Sequence, residues 1–305
     1  MTGLKSLSRA LLPGVAALAL LGSTSLAQES YKTPEEAASA LAAAVKSGPR
    51  DILKVLGRSA EDIVSSGDEV ADNDIRQRFT SMYDAKHGIK AEGNKSATLI
   101  LGPDDFPFPI PLVNTRTGWA FDTDEGRIEV LRRRIGRNEL DAIQTALAFV
   151  DAQNEYAEKD RGEGVGVYAQ RIVSSPGKKD GLFWRDDSDP SPLGALAAEA
   201  SKEGYRGGDV GPAPYHGYYF RILKGQGRDA PGGALNYVVK GKMIGGFGLI
   251  AWPAEYGNSG VMTFLVNHDG VVYQKDLGKR TEFIAQRTTL FDPDETWKKI
   301  DAAKP

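Results

Sequence analysis

Residues 244–275 read IGGFGLIAWPAEYGNSGVMTFLVNHDGVVYQK, and this stretch decides the fold of the second half of the chain. Ile244 to Trp252 is a nine-residue apolar run containing three glycines. A membrane span needs about 20 apolar residues, so this run reads as a buried strand. Val261 to Asn267 and Val271 to Lys275 are two more strands, flanking the hairpin signal His268-Asp269-Gly270. Gly217 to Leu223 reads as a strand, and Asn236 to Val239 precedes the turn Lys240-Gly241-Lys242. Upstream, Asn138 is a helix cap, with Leu140, Ile143, Leu147 and Val150 on one face and an end near Ala157. Residues 137–305 are therefore expected to form one long helix packed on an antiparallel strand meander.

Working towards the amino terminus, Asp124 to Arg134 reads as a charged helix ending at Gly136, a linker over 126–136. Before it, residues 28–125 read as helices followed by a curved antiparallel sheet. Thr33-Pro34-Glu35-Glu36 places Thr at an N-cap, Pro at the first helical position and Glu three residues after the cap. Ala37, Ala40, Leu41, Ala44 and Val45 keep helical spacing until Gly48. A short helix over Asp51 to Leu56 follows, then one with Ile75, Phe79, Met82 and Tyr83 on a face, ending near His87-Gly88. Lys95 to Leu101 alternates as a strand, and Pro107 to Val113 is extended. Asn114 to Gly118 turns the chain back into Trp119-Ala120-Phe121. The fold class is α+β.

The first 27 residues have the three parts of a cleavable signal peptide. Lys5 and Arg9 supply positive charge, Ala10 to Leu21 an apolar core, and Ser25-Leu26-Ala27 a cleavage site, so the mature chain would begin at Gln28. The expected location is the periplasm or the extracellular space. Loss of Lys5 and Arg9 takes the formal charge from −3 to −5. That balance argues against a general binder of nucleic acid or anionic membranes. With no Cys, the chain has no disulfide, thiolate nucleophile or zinc-thiolate site.

The helices-then-sheet order ending in Ile110-Pro111-Leu112-Val113, a turn and Gly118-Trp119-Ala120-Phe121-Asp122 resembles the nuclear-transport-factor-2-like superfamily. Those folds host enzymes, ligand binders and assembly domains alike. The long helix, variable loops and Asp-Gly hairpin of the second half resemble the globular heads of pseudopilins. A likeness spanning nearly the whole mature chain is to the exported domain-of-unknown-function 2950 family. It rests on Pro34 to Ala37, Ile135-Gly136-Arg137-Asn138-Glu139-Leu140, Tyr168-Ala169-Gln170, Pro176 to Trp184, Pro214 to Arg221 and Pro253 to Phe264. Members often carry an acidic glycine-rich turn resembling a calcium loop. Here Lys159 to Gly166 offers only Asp160 and Glu163 as charged ligands, so no metal site and no cofactor are expected.

Candidate chemistry is sparse. His87, His216 and His268 stand in no metal-ligand spacing. Ser175-Pro176-Gly177-Lys178 matches a serine acylase spacing, but Pro-Gly breaks the helical turn that this chemistry needs, and a basic turn is the better reading. Asp84 and His87 lie three apart at a helix end, as a base pair or as solvated residues. The densest block is Tyr215 to Arg221. Tyr218, Phe220 and Ile222 share one strand face, Tyr219 and Arg221 the other. With Glu255 and Asn258 from the following polar loop, His216, Tyr219 and Arg221 would form a site for a small polar or saccharide-like ligand, or a network that fixes the loop. A bidentate Arg221–Glu255 pair is expected within that cluster. The sequence thus supports an exported, non-enzymatic envelope structural or partner-binding protein. The alternative is a hydrolase or binder of a small polar ligand in the second half.

Overall fold

A computed structural model describes residues 28–300, apart from 187, 204 and 206–212. The expected signal peptide lies outside the described residues. The first lobe opens with α1 (Pro34–Ser47), where Thr33 accepts a hydrogen bond from Glu36 N as the N-cap reading requires. Then come α2 (Pro49–Leu56), the short α3 (Glu61–Val64) and α4 (Glu69–Ala85), the last capped by Asp68 accepting from Ala71 N. Strands β1 (His87–Glu92), β2 (Ser96–Leu101), β3 (Phe106–Pro107), β4 (Leu112–Thr115) and β5 (Gly118–Phe121) form an antiparallel sheet in the order β1-β2-β4-β5, with β3 beside β2. In β2 Ala97, Leu99 and Leu101 point inward, as their alternation predicts. The sheet and the first helices enclose Leu41, Ile52, Leu56, Ile110, Leu112 and Phe121.

The linker expected over 126–136 and the helix expected from Asn138 are one element. This is α5 (Thr123–Ala157), 35 residues capped by Asp122, and about 52 Å long at 1.5 Å per residue. Gly136 does not end it. Glycine mid-helix costs only about 1 kcal/mol, and packing along both ends outweighs that. Gly126 lies so close to Ile110 that a Cβ would come within 2.5 Å of its Cα. At the other end Ala142, Ala146, Phe149, Val150 and Tyr156 are buried in the core of the second lobe.

That lobe continues with α6 (Gly194–Glu203) and β6 (Tyr218–Leu223), then the short strands β7 (Gly225–Gln226), β8 (Leu235–Asn236), β9 (Val238–Val239) and β10 (Lys242–Met243). The meander proper is β11 (Gly248–Pro253), β12 (Met262–Asn267) and β13 (Tyr273–Asp276), followed by α7 (Thr281–Arg287) and β14 (Lys298–Lys299). Its order is β14-β13-β12-β11-β6, all antiparallel, with Ile250 opposite both Leu265 and Arg221. The apolar run from Ile244 is not all strand. Ile244 is half-exposed, Gly246 turns at φ 123°, and β11 starts at Gly248. A Cβ on Gly246 would meet the His268 ring at 2.6 Å, so this approach requires glycine. The α+β class is as the sequence predicts. Among the described residues, no helix is long and apolar enough to cross a membrane.

Candidate functional site

Two features stand out: a polar seam between the lobes and an apolar cavity in the first lobe. The seam is built around Asp68, Arg134 and Asn258, all buried. Arg134 projects from the middle of α5 and donates to Asp62 O at 2.8 Å, to Ile63 O at 2.5 Å and to Asn258 Oδ1. Asn258 in turn donates to Ser65 O at 3.0 Å and to Glu255 Oε2 at 2.7 Å. Asp68 Oδ2 accepts from Gly217 N at 2.9 Å and from the Tyr205 hydroxyl at 2.8 Å, while its Oδ1 caps α4. Asn138 donates to Ser259 O, and Glu139 Oε1 accepts from the amides of Val261 and Met262. Each lobe thus satisfies polar groups of the other, which a buried seam demands. Burial lowers the pKa of Arg134, against the opposing charges of Asp72, Asp62 and Glu255. Burial likewise raises that of Asp72, against its hydrogen bonds to Ser66 and the charge of Arg134.

The cavity, about 290 Å³, is lined by α1, α2, α3, α4 and α5 together with Leu101 and the segment from Phe106 to Ile110. Its floor is Leu41, Val45, Ile52, Leu56, Leu101, Phe108 and Ile110. Ile75, Phe79 and Met82 line it from α4, and Val130 from α5. These are the helical spacings i, i+4 and i+7 that put one face inward. Ile75 and Phe106, both among its lining residues, are 39% and 41% exposed, unusual for side chains that could pack inward. The charged lining is five arginines, Arg76, Arg78, Arg133, Arg134 and Arg137, against one acid, Asp72.

A family model for proteins of unknown function, DUF2950, matches residues 28–300. The chain belongs to the DUF2950 family. No curated protein and no solved structure matches it. Three of the sequence blocks that carry the likeness to DUF2950 meet at the seam: Ile135 to Leu140, Pro214 to Arg221 and Pro253 to Phe264.

Those blocks contain all five residues expected to form a polar site in this DUF2950 chain, but the five divide among three places. Glu255 and Asn258 hydrogen bond to each other within the seam. His216, at φ 48°, lies at its edge, with Nδ1 3.3 Å from Asp141 and Nε2 3.1 Å from Glu203. Tyr219 packs beside Trp252 on the far side of the sheet. Arg221 is there too. Its guanidinium lies 5.6 Å from the Trp252 ring and donates to Ala285 O, Gln286 O and Thr288 O at 2.5–2.8 Å. It therefore closes the carbonyl end of α7, and the expected Arg221–Glu255 pair does not form. A guanidinium beside a helix terminus finds three acceptors nearby, so it needs no carboxylate.

The remaining candidates are local structure. Asp84 pairs with Lys46 at 2.9 Å, both half-exposed, while His87 stacks on Tyr83 at 3.8 Å between ring centroids. Ser175 is bound through N and Oγ to Asp180, and Lys178 N donates to Ser175 O in a turn. Asp160 Oδ1 accepts from Gly162 N and Gly164 N, so that carboxylate closes its own loop. Among the described residues, no group of three or more His, Cys, Asp or Glu could hold a metal ion. Sequence reasoning missed the cavity. Its one local signal is the arginine-rich run from Arg132 to Arg137 beside Val130, which reads as a solvated helix face.

Proposed function

We propose that this chain is an exported, non-enzymatic binding protein whose ligand site is the apolar cavity of the first lobe. The observation that carries the reading is the cavity itself. At about 290 Å³ it lies just below the volumes that hold drug-sized molecules, roughly 300–1,000 Å³, and most of its lining is apolar. Half-exposed Ile75 and Phe106 extend that apolar surface towards solvent. Export rests on the tripartite leader before Gln28. The reading as a binder rather than an enzyme is supported by Ser175, Asp84 and His87, whose side chains are held by Asp180, Lys46 and the Tyr83 carbonyl in local structure. The alternative site for a polar ligand draws less support, because Tyr219 and Arg221 face away from the seam that holds Glu255 and Asn258.

The test uses the uncharged fluorophore N-phenyl-1-naphthylamine with the full mature chain. The expected result is saturable binding at one site, weakened at least tenfold by Val130→Trp, which fills the cavity. Ile75→Trp is the second variant, should the first fail to fold. Absence of saturable binding, or unchanged binding in a folded cavity variant, overturns the reading.

A further inference from the structure

Resting on that reading, we infer that the cavity takes a single-chain amphiphile with an anionic head, the tail entering the apolar floor and the head meeting Arg76 and Arg137. The charge lining the cavity is lopsided, with five arginines against Asp72, on a chain whose formal charge is −3. Two of the five have carboxylate partners. Arg78 pairs with Asp74 at 2.7 Å and Arg133 with Glu129 at 2.7 Å. Arg76 donates to the Asn73 amide oxygen, and among the described residues neither Arg76 nor Arg137 has a carboxylate within 4.0 Å.

Arg134 is the independent observation. Its side chain is buried, 6% exposed, and bonds only to neutral oxygens, while its Nε has no partner. Asp72, Asp62 and Glu255 offset part of its charge without bonding to it directly, and an anion in the adjoining cavity would add to that compensation. Removed from water, its charge is also less screened than that of a surface residue. The planar guanidinium forks of Arg76 and Arg137 match a carboxylate or phosphate in two-point contact. A cationic head would meet this excess of arginine instead. The small volume selects one chain rather than two.

The experiment is displacement of N-phenyl-1-naphthylamine from the full mature chain by decanoate, decyl phosphate, decanol and decyltrimethylammonium at low salt. Decanoate or decyl phosphate should displace at least tenfold better than decanol, and decyltrimethylammonium worst. The preference should shrink at high salt. Arg76→Gln with Arg137→Gln, the first half-buried and the second exposed, should abolish the preference, bringing both anions down to the level of decanol. The stronger of the two anions tells a free fatty acid from a phosphate headgroup. Equal displacement by decanol and both anions overturns the anion assignment while the cavity reading stands. Failure of the fluorophore itself to bind removes both.

Discussion

Replacing Arg134 with Met tests whether the seam holds the two lobes together. Its guanidinium satisfies two backbone carbonyls of α3 and the Asn258 amide oxygen of the second lobe. Met keeps the apolar stem and removes every donor. Hydrogen bonds to a charged group contribute about 1.5–3 kcal/mol each, but they share one desolvated cation whose burial already costs free energy. Met strands no charge, but it leaves buried oxygen acceptors without their donor, at about 1–3 kcal/mol for each one left unpaired. That is a large part of the ~5–15 kcal/mol that holds a typical domain folded. Arg134→Lys keeps the charge but loses the fork, and should lie between wild type and Met. The assay is urea unfolding of the chain from Gln28 to Pro305, followed by fluorescence and far-ultraviolet dichroism. A double-mutant cycle with Asn258→Ala should show coupling above about 0.5 kcal/mol. A loss below about 1 kcal/mol, or strict additivity with Asn258→Ala, would refute the seam as a mechanical joint.

Arg221→Met and Glu255→Gln should be additive within about 0.5 kcal/mol in the same melts, because Arg221 serves the end of α7 while Glu255 serves Asn258; coupling above that would restore the pair expected from sequence. Gly136→Ala should stabilise by about 0.5–1 kcal/mol, since Gly136 lies inside α5 and an added Cβ would meet nothing within 4 Å; destabilisation would mean the helix breaks there. Burial lowers the His216 pKa, but Asp141, Glu203 and Asp68 outweigh it, so the net shift is upward from 6.5. Its contribution is therefore fully present below pH 6.5 and lost as pH rises through the raised folded value. Stability of wild type relative to His216→Gln, measured by urea melts across that window, should fall with rising pH; a flat or rising difference would contradict the ion pairs.

The local elements are legible where one physical signal dominates. Thr33 and Glu36 set the start of α1, the alternation of Ala97, Leu99 and Leu101 sets β2, and Asp269-Gly270 sets the β12–β13 turn. The facing of β6 is legible as well, since Tyr218, Phe220 and Ile222 pack on one core and Tyr219 on the other. What is not legible depends on distant partners. Gly136 and Asn138 look like a helix stop and start, yet Asn138 spends its side chain on Ser259 O. Arg221 reads as a cation in need of a carboxylate, because nothing local reveals that the end of α7 comes beside it. The cavity is the extreme case. Asp72 to Met82 and Val130 to Arg137 each resemble an ordinary amphipathic helix, and only their spacing across the sheet leaves a hollow between them.

The most direct measurement is identification of what the cavity holds. The tagged chain and its Val130→Trp variant would be purified from the native host and denatured in organic solvent, and the released small molecules compared by mass spectrometry. A single-chain acid released from the wild type in near-stoichiometric amount, and depleted from the folded variant, is the predicted result. Equal small-molecule content in the two folded proteins would contradict the cavity as the ligand site.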